Sequence, residues 1–410
     1  MVKNHINQII MLFNLRHLLS ALEIRNTGTI SEAAKHIHLT QSAITQGINK
    51  LEQSIGLSLF DRTNSGMYST ENGTHFLLRI ERAIKHLHDF SSMLFANDKI
   101  KKHSFVRAVT SRQLSALIAI TELQSYTAAA LRLGLTQPTL HRSIKDLETL
   151  CAQKLFQRSP IGVEPSWRAR QLTRYASLFF SELAQGVEEI GEANGRMDGF
   201  IRIGSLPLAR TEIIPSCVLH LIDEFPQVKV SIVDGPYDEQ LHGLLHGQLD
   251  IIVGALRYPQ PHSDINQYKL FDDPLSIVFR NGHPLANRSE ISNNELQALQ
   301  WVVPSQGVPA RQVFNEFFSR RKISPPSALI ECSSMVAIRG LLLNSEIAAL
   351  LPARQVKVEV VNDLLAVCPM PLSGTNREIG LTMRKDWHPT QIQNRFLQII
   401  EQQFGTKTIS

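Results

Sequence analysis

The sequence predicts a mixed fold: two all-α winged helix-turn-helix domains with long linker helices, then a two-lobed α/β domain. Two observations carry this. First, Ala33-Ala34, Leu39-Thr40-Gln41, Ile48, Leu51-Glu52, Leu59-Phe60, Arg62 and Gly66 return 96 residues later, with no gap, as Ala129-Ala130, Leu135-Thr136-Gln137, Ile144, Leu147-Glu148, Leu155-Phe156, Arg158 and Gly162. An exact internal repeat is a supersecondary unit used twice. Second, the periodicity changes at Gly199 to short apolar runs alternating with helical segments, the pattern of a parallel sheet flanked by helices.

In the first copy, Leu15, Leu18, Leu19 and Leu22 share one face of a helix that Asn26-Thr27-Gly28 ends. Ser31 reads as the N-cap of a short helix, whose Ala33-Ala34 pair lets two helices cross closely. Thr40 suits the N-cap of the next helix, with Ile44, Ile48, Leu51 and Ile55 as its buried face. In the second copy, Ala128–Arg132 is the short helix, Gly134 permits the turn, and Thr136 caps a helix buried through Leu140, Ile144, Leu147 and Cys151. Leu59–Thr70 and Leu155–Ser166 follow as wings. Long helices over about 71–95 and 167–194 carry the apolar stripes Phe76, Leu77, Ile80, Ile84, Leu87 and Leu172, Ala176, Phe179, Phe180, Leu183, Val187.

The outward faces of the two central helices are polar. Gln41, Ser42, Thr45, Gln46 and Asn49 line the first, with Lys50 its single charge; Gln137, Thr139, His141, Arg142 and Lys145 line the second. Hydrogen-bonding groups on an exposed helix after a tight turn are what reading base edges in a major groove requires. Arg62 and Arg158 reach phosphate or pin their wings through backbone carbonyls; the sequence leaves both readings open. Residues 1–195 hold 22 Lys and Arg against 16 Asp and Glu, while the remainder holds 20 against 21, so the positive excess lies with the repeats. Double-stranded DNA is the expected partner of that half, with the second copy the firmer binder.

The expected boundaries are 14–96 for the first repeat and its linker helix, 97–109 for a polar linker, 110–195 for the second repeat, and 199–404 for the α/β domain. Its first lobe would comprise 199–260 and 365–404, its second 270–360, with crossovers near 261–270 and 357–364 and a hinge at 192–198. Strands are expected at 200–204, 228–233, 250–254, 275–280, 301–303 and 347–351, and helices at 213–225, 239–247 and 391–402.

Ala-Ala-x4-Leu-Thr-Gln-(Ser/Pro), Ile-x2-Leu-Glu and Leu-Phe-x-Arg resemble the winged helix-turn-helix of LysR-type transcriptional regulators, from which the chain departs by carrying two copies. The resemblance implies a cytoplasmic, sequence-specific DNA-binding regulator whose linker helices pair in a dimer. It also implies a periplasmic-binding-protein-like effector domain taking a small molecule between its lobes, homo-oligomerisation, and RNA polymerase as a further partner. Asp250-Ile-Ile-Val-Gly-Ala-Leu-Arg257, Gly380-Leu-Thr-Met-Arg384 and Trp387 are similar to the branch regulating sugar-uptake and aromatic-acid genes.

Three segments place serine between a strand and a helix: Ser205-Leu206, Ser305-Gln306 and Ser333-Ser334. Ligands of open α/β sheets sit at carboxyl ends of strands, where helix N-termini offer N–H groups. Such serines suit a carboxylate or a sugar, or serve only as caps; Arg257 and Arg311 are candidate counter-charges, and a surface role fits each equally.

An enzyme is not expected. There is no Gly-x-Ser-x-Gly elbow, phosphate loop or His-Glu-x-x-His, so no catalytic residue, cofactor or metal is assigned. His242 and His246 lack a third ligand at matching spacing. His36/His38 and His86/His88 lie two apart and point apart on a helix. Cys151, Cys217, Cys332 and Cys368 show no paired spacing, and the first and second read as buried thiols. Met1–Phe13 is a poor signal peptide, and no apolar run nears the ~20 residues of a membrane span. Two alternatives stand beside the main reading: a regulator in which one repeat serves only dimerisation or protein interaction, and a solute receptor that reads no DNA.

Overall fold

The computed structural model describes residues 13–405 apart from 65, 161, 197, 198 and 328; the leader reading at 1–12 and part of the expected hinge lie outside them. The first repeat comprises α1 (Leu15–Thr27), α2 (Ile30–Ile37), α3 (Gln41–Ile55), the hairpin β1 (Phe60–Thr63) and β2 (Gly66–Ser69), and the long α4 (Glu71–Leu94). A further helix, α5 (Lys99–Ala108), leads to α6 (Ser111–Leu123), α7 (Tyr126–Leu133), α8 (Gln137–Cys151), the hairpin β3 (Phe156–Ser159) and β4 (Gly162–Pro165), and the long α9 (Trp167–Ala193).

Local chemistry explains most ends. Thr40 and Thr136 sit in extended conformation and accept from the amides of Ala43 and Thr139. Thr70 and Ser166 cap α4 and α9 in the same way. The cap of α2 is Thr29, accepting from the Glu32 amide, and Ser31 lies inside the helix, a correction of two residues. The repeated Leu-Glu also gains a reason. Glu52 Oε1 accepts from the Leu59 and Phe60 amides at 2.7 and 3.3 Å, and Glu148 Oε1 from the Leu155 amide at 2.9 Å, so each glutamate ties its helix to its wing. The wings return under α1 and α6: a Cβ on Gly66 or Gly162 would lie 2.6 Å from the carbonyl oxygen of Gly28 or Gln124.

The polar linker expected at 97–109 is largely helical. Asp98 caps α5 by accepting from the Lys101 amide at 2.9 Å. Phe105 and Val106 are buried, and they join a single apolar core that runs through both repeats. Phe90 and Phe105 pack at a tilt of 51° with ring centroids 5.5 Å apart, and Ser111 Oγ donates to the Phe13 carbonyl at 2.7 Å. The two long helices α4 and α9 pack against each other within the chain.

The α/β domain continues with β5 (Phe200–Ser205), a 3-10 turn (Pro207–Arg210), α10 (Ile213–Glu224), β6 (Lys229–Asp234), α11 (Tyr237–Leu245), β7 (Ile251–Ala255), β8 (Ile265–Asp273) and β9 (Leu275–Arg280). Then come α12 (Asn293–Ala298), β10 (Trp301–Val303), α13 (Pro309–Arg320), β11 (Leu329–Glu331), α14 (Met335–Leu343), β12 (Ala348–Pro352), a 3-10 turn (Ala353–Val356), α15 (Lys357–Val361), β13 (Leu365–Val367), β14 (Arg377–Arg384) and α16 (Gln391–Phe404). The first sheet has order β6-β5-β7-β14-β8 and the second β11-β10-β12-β9-β13. Neither is wholly parallel: β14 runs antiparallel to both β7 and β8, and β9 antiparallel to β12 and β13. The crossovers also move. β8 pairs with β14 in the first lobe and β13 pairs with β9 in the second, so the chain changes lobes between 273 and 275 and again between 367 and 377.

The repeats dock on the first lobe. Arg174 on α9 pairs with Asp264, and Gln248 Nε2 donates to Glu122 at 3.2 Å. His86 on α4 and His246 after α11 lie near this junction, and both are pushed down to about 4. Burial is the main cause; the charge of Arg384 adds for His86 and that of His242 for His246. Unfolded imidazoles protonate near about 6.5. Between that pH and about 4 the unfolded chain therefore binds more protons, and stability is lost as pH falls through the window. The thermal midpoint should drop from pH 7 to pH 5, and less so in His86→Gln/His246→Gln. A wild-type midpoint flat over that range would contradict this.

Candidate functional site

The helix α8 and its wing enclose a groove of about 830 Å³, walled by Tyr126, His141, Phe156 and Val163 and rimmed by Arg142, Lys145, Lys154 and Arg158. Tyr126 lies flat on His141, ring centroids 3.9 Å apart at 14°, and edge-on to Phe156 at 6.3 Å. The stack fixes the imidazole, so His141 is part of the wall as well as the polar face. Tyr126 itself was not singled out by the sequence, where an aromatic at a helix start has the signal of a core residue. Arg142, Lys145 and Arg158 are exposed, and among the described residues none engages their side chains. Lys154 is held by Glu148 at 2.8 Å. Three unengaged cations around one groove are suited to the phosphates of a duplex.

The first repeat keeps the shape but not the charge. At the positions of His141, Arg142 and Lys145 it has Thr45, Gln46 and Asn49. Arg62 donates to Asn49 Oδ1 at 2.7 Å, so wing and recognition helix are tied side chain to side chain. The counterpart pair, Arg158 and Lys145, consists of two donors and makes no such tie. Gln41 Nε2 donates to Ser31 Oγ at 3.3 Å and Gln137 Nε2 to Thr127 Oγ1 at 2.7 Å, equivalent contacts that lock the first turn of each helix to the preceding one. Thr45 Oγ1 donates back to the Gln41 carbonyl at 2.9 Å, leaving its lone pairs outward. Ser42 is exposed and Thr139 half-buried.

The candidate ligand residues divide between the lobes. Ser205 ends β5 fully buried and Leu206 is 6% exposed; the Ser205 carbonyl accepts from Gln240 Nε2 at 3.0 Å and from Arg210. Ser205 Oγ and Gln240 Oε1 are buried without a hydrogen-bond partner. Arg257 lies over the Tyr237 ring at 4.6 Å, and burial pulls its guanidinium below the usual range. In the second lobe Ser305 and Gln306 follow β10, while Ser333 and Ser334 follow the adjacent parallel strand β11, so both segments leave the same sheet end. Ser334 caps α14 and Ser333 is exposed. Arg311 is not a free counter-charge. It is buried, donates to the Pro304 carbonyl at 3.1 Å and to Asn315, and faces Glu331 at 3.6 Å. Across the lobes, Glu212 meets Lys357 at 2.7 Å and Arg354 at 3.4 Å.

His242 and His246 stack at 3.8 Å, and no group of three metal-ligating side chains occurs among the described residues. Cys151 and Cys217 are buried, their thiols pushed up to about 12 by burial. No helix among the described residues is long and apolar enough to cross a membrane.

A polar recognition helix beside a cationic wing, joined by a long helix to a two-lobed α/β domain, defines a DNA-binding regulator. Residues 15–74 and 111–170 each match the family of bacterial regulatory helix-turn-helix proteins of the lysR family, and residues 194–405 match the LysR substrate binding domain. The chain belongs to the LysR family of transcriptional regulators. It is 29% identical over 371 residues to the HTH-type transcriptional regulator GalR of Pseudomonas putida, covering 90% of this chain and 92% of that one. It is 25% identical over 294 residues to the regulator PcaQ of Agrobacterium fabrum, covering 72% and 94%. Among solved structures, CbnR, a LysR family transcriptional regulator, superposes with a TM-score of 0.52 at 19% identity, over 72% of this chain and 98% of that one. A full-length OxyR variant from Pseudomonas aeruginosa does so at 0.54 and 20%, over 72% and 93%; both likenesses concern the fold alone.

Proposed function

We propose that the duplicated winged helix-turn-helix units of one chain form the two halves of a single DNA-reading head. The observation that carries this is the shared interior: α4 lies along α9, and one core spans both repeats. A pair built this way offers α3 and α8 together. α8 supplies phosphate affinity through Arg142, Lys145 and Arg158, and α3 supplies uncharged contacts through Gln41, Ser42, Thr45, Gln46 and Asn49. The domains are then 14–96, 110–195 and 199–404, with α5 as a helical spacer. The two lobes work in the manner of periplasmic solute receptors, holding a small effector between them.

Buried, unpartnered Ser205 Oγ and Gln240 Oε1 at the carboxyl end of β5 support a ligand with hydroxyl or carboxyl groups, in keeping with the sugar-uptake and aromatic-acid branch the sequence resembles. Exposed apolar side chains on both lobes support assembly with a second copy. They include Leu219, Ile222, Ile232 and Val233 on the first, and Val336, Val358 and Val361 on the second. The chain acts where DNA is, in the cytoplasm, with RNA polymerase as a further partner, and catalyses no reaction.

Two rigidly joined halves of one head read half-sites at fixed helical phase, about 10 base pairs apart for one turn. A duplex from upstream of the chain's own gene, titrated by fluorescence anisotropy, should lose most specific affinity when about five base pairs are inserted between the half-sites. Equal binding to the native and lengthened duplexes would overturn the rigid pair.

A further inference from the structure

The contact between α4 and α9 has two unlike halves. At one end Arg79 is 1% exposed yet fully engaged. Its Nε donates to Glu189 Oε2 at 2.9 Å and its Nη1 to Glu182 Oε2 at 2.9 Å and Gln185 Oε1 at 2.8 Å. Nη2 donates to the second oxygen of Glu189 and, at 2.8 Å, to the His388 carbonyl of the first lobe. Burial alone would weaken the cation, but the hydrogen bond to Glu189 and the charge of Glu182 hold its affinity for the proton above the ordinary value. Beside it Gly186 allows the close crossing: a Cβ there would sit 2.9 Å from the Phe76 ring and 3.1 Å from Arg79 Cβ. At the other end Phe90, wholly buried, meets Tyr175 with centroids 6.1 Å apart at 54°.

The 96-residue offset shows what each partner would meet in a like-with-like pair. Arg79 corresponds to Tyr175, Gly186 to Phe90, Glu182 to His86, Gln185 to Asp89 and Glu189 to Met93. Two α4 helices packed at this crossing would place Phe90 where only a glycine fits. Each Arg79 would lose both of its carboxylates, to His86 and Met93, and gain only Asp89 in the place of Gln185. Two α9 helices would bury Glu182 and Glu189 opposite tyrosine, with no cation at all. Burying an unpaired carboxylate is costly, and breaking a buried pair by removing one partner is strongly destabilising.

We infer that this interface is a pairing code, in which Arg79 with Glu182 and Glu189, and Gly186 with Phe76, admit an α4–α9 pair and reject α4 with a second copy's α4 or α9 with its α9. The code rests on the internal pairing proposed above but not on DNA being bound, and its readouts are free of DNA.

Full-length Arg79→Glu, and separately Glu182→Arg/Glu189→Arg, should each lower the thermal midpoint by on the order of 10 °C. The triple variant, with charges exchanged in one chain, should regain at least half of that. A triple variant no more stable than the worse parent overturns the code. Co-expressing the two parents should give no recovered stability, even where the copies assemble through their lobes; recovery in trans would show pairing between chains and overturn the intrachain assignment. If the reversals prevent folding, the milder Arg79→Lys and Glu189→Gln cycle decides. The double variant should lose clearly less than the sum of the singles, and additive losses would overturn the proposal.

Discussion

Alanine at both Arg142 and Lys145 is expected to weaken binding to the specific duplex by about 2–4 kcal/mol, roughly 30- to 1000-fold. A base contact contributes about 1–3 kcal/mol and a phosphate contact about 1 kcal/mol. Both side chains are exposed at the rim of the groove beside the wing, and neither is held by another group among the described residues. Their loss removes interaction with DNA while leaving the fold alone. Anisotropy titrations over a salt series separate the roles. A base reader costs affinity for the specific site only, whereas a phosphate contact weakens every duplex and flattens the salt slope by about one unit. Unchanged affinity for all duplexes would remove this face from the interface.

Asp250→Ala is expected to cost about 3–5 kcal/mol, the largest stability loss foreseen for a single side chain. Asp250 is fully buried and Arg202 is 2% exposed. The carboxylate accepts from the Arg202 amide at 2.8 Å and from its Nε at 3.1 Å, while Arg202 Nη1 donates to the Gly247 carbonyl at 3.3 Å. The pair joins β5 to the start of β7 at the centre of the first sheet. Removing the carboxylate strands a buried cation. Asp250→Asn retains one acceptor and should lose less. Urea denaturation measures both; an Asp250→Ala chain within about 1 kcal/mol of wild type would refute the central role of the pair.

Features set by local chemistry were legible in the sequence. Thr40 and Thr136 as caps, the apolar faces of α3 and α8, and the extents of α4 and α9 all follow from residues within a few positions. What the sequence concealed was set by distant partners. Helix α5 carries only Phe105 and Val106 to the core, too few apolar positions to give a helical period among its lysines. A three-residue strand such as Leu365–Val367 says nothing about which sheet it joins, and its antiparallel pairing with β9 moved the lobe crossover. Arg79 is one polar position in an apolar stripe, and only its replacement by Tyr175 in the other repeat marks it in the sequence. The serine-rich strand ends were found, but their environments were not: Ser205 is buried, Ser334 caps its own helix, and Arg311 is spent on Pro304, Asn315 and Glu331.

The claim that one chain carries both halves of the DNA-reading head is tested most directly by hydroxyl-radical footprinting of three full-length proteins on the same operator. Wild type should protect two half-sites about one helical turn apart. Thr45→Ala/Gln46→Ala should lose protection on one half-site, and Arg142→Ala/Lys145→Ala on the other. If both variants lose the same half-site, or if the first leaves the footprint unchanged, the two repeats do not read DNA as a pair.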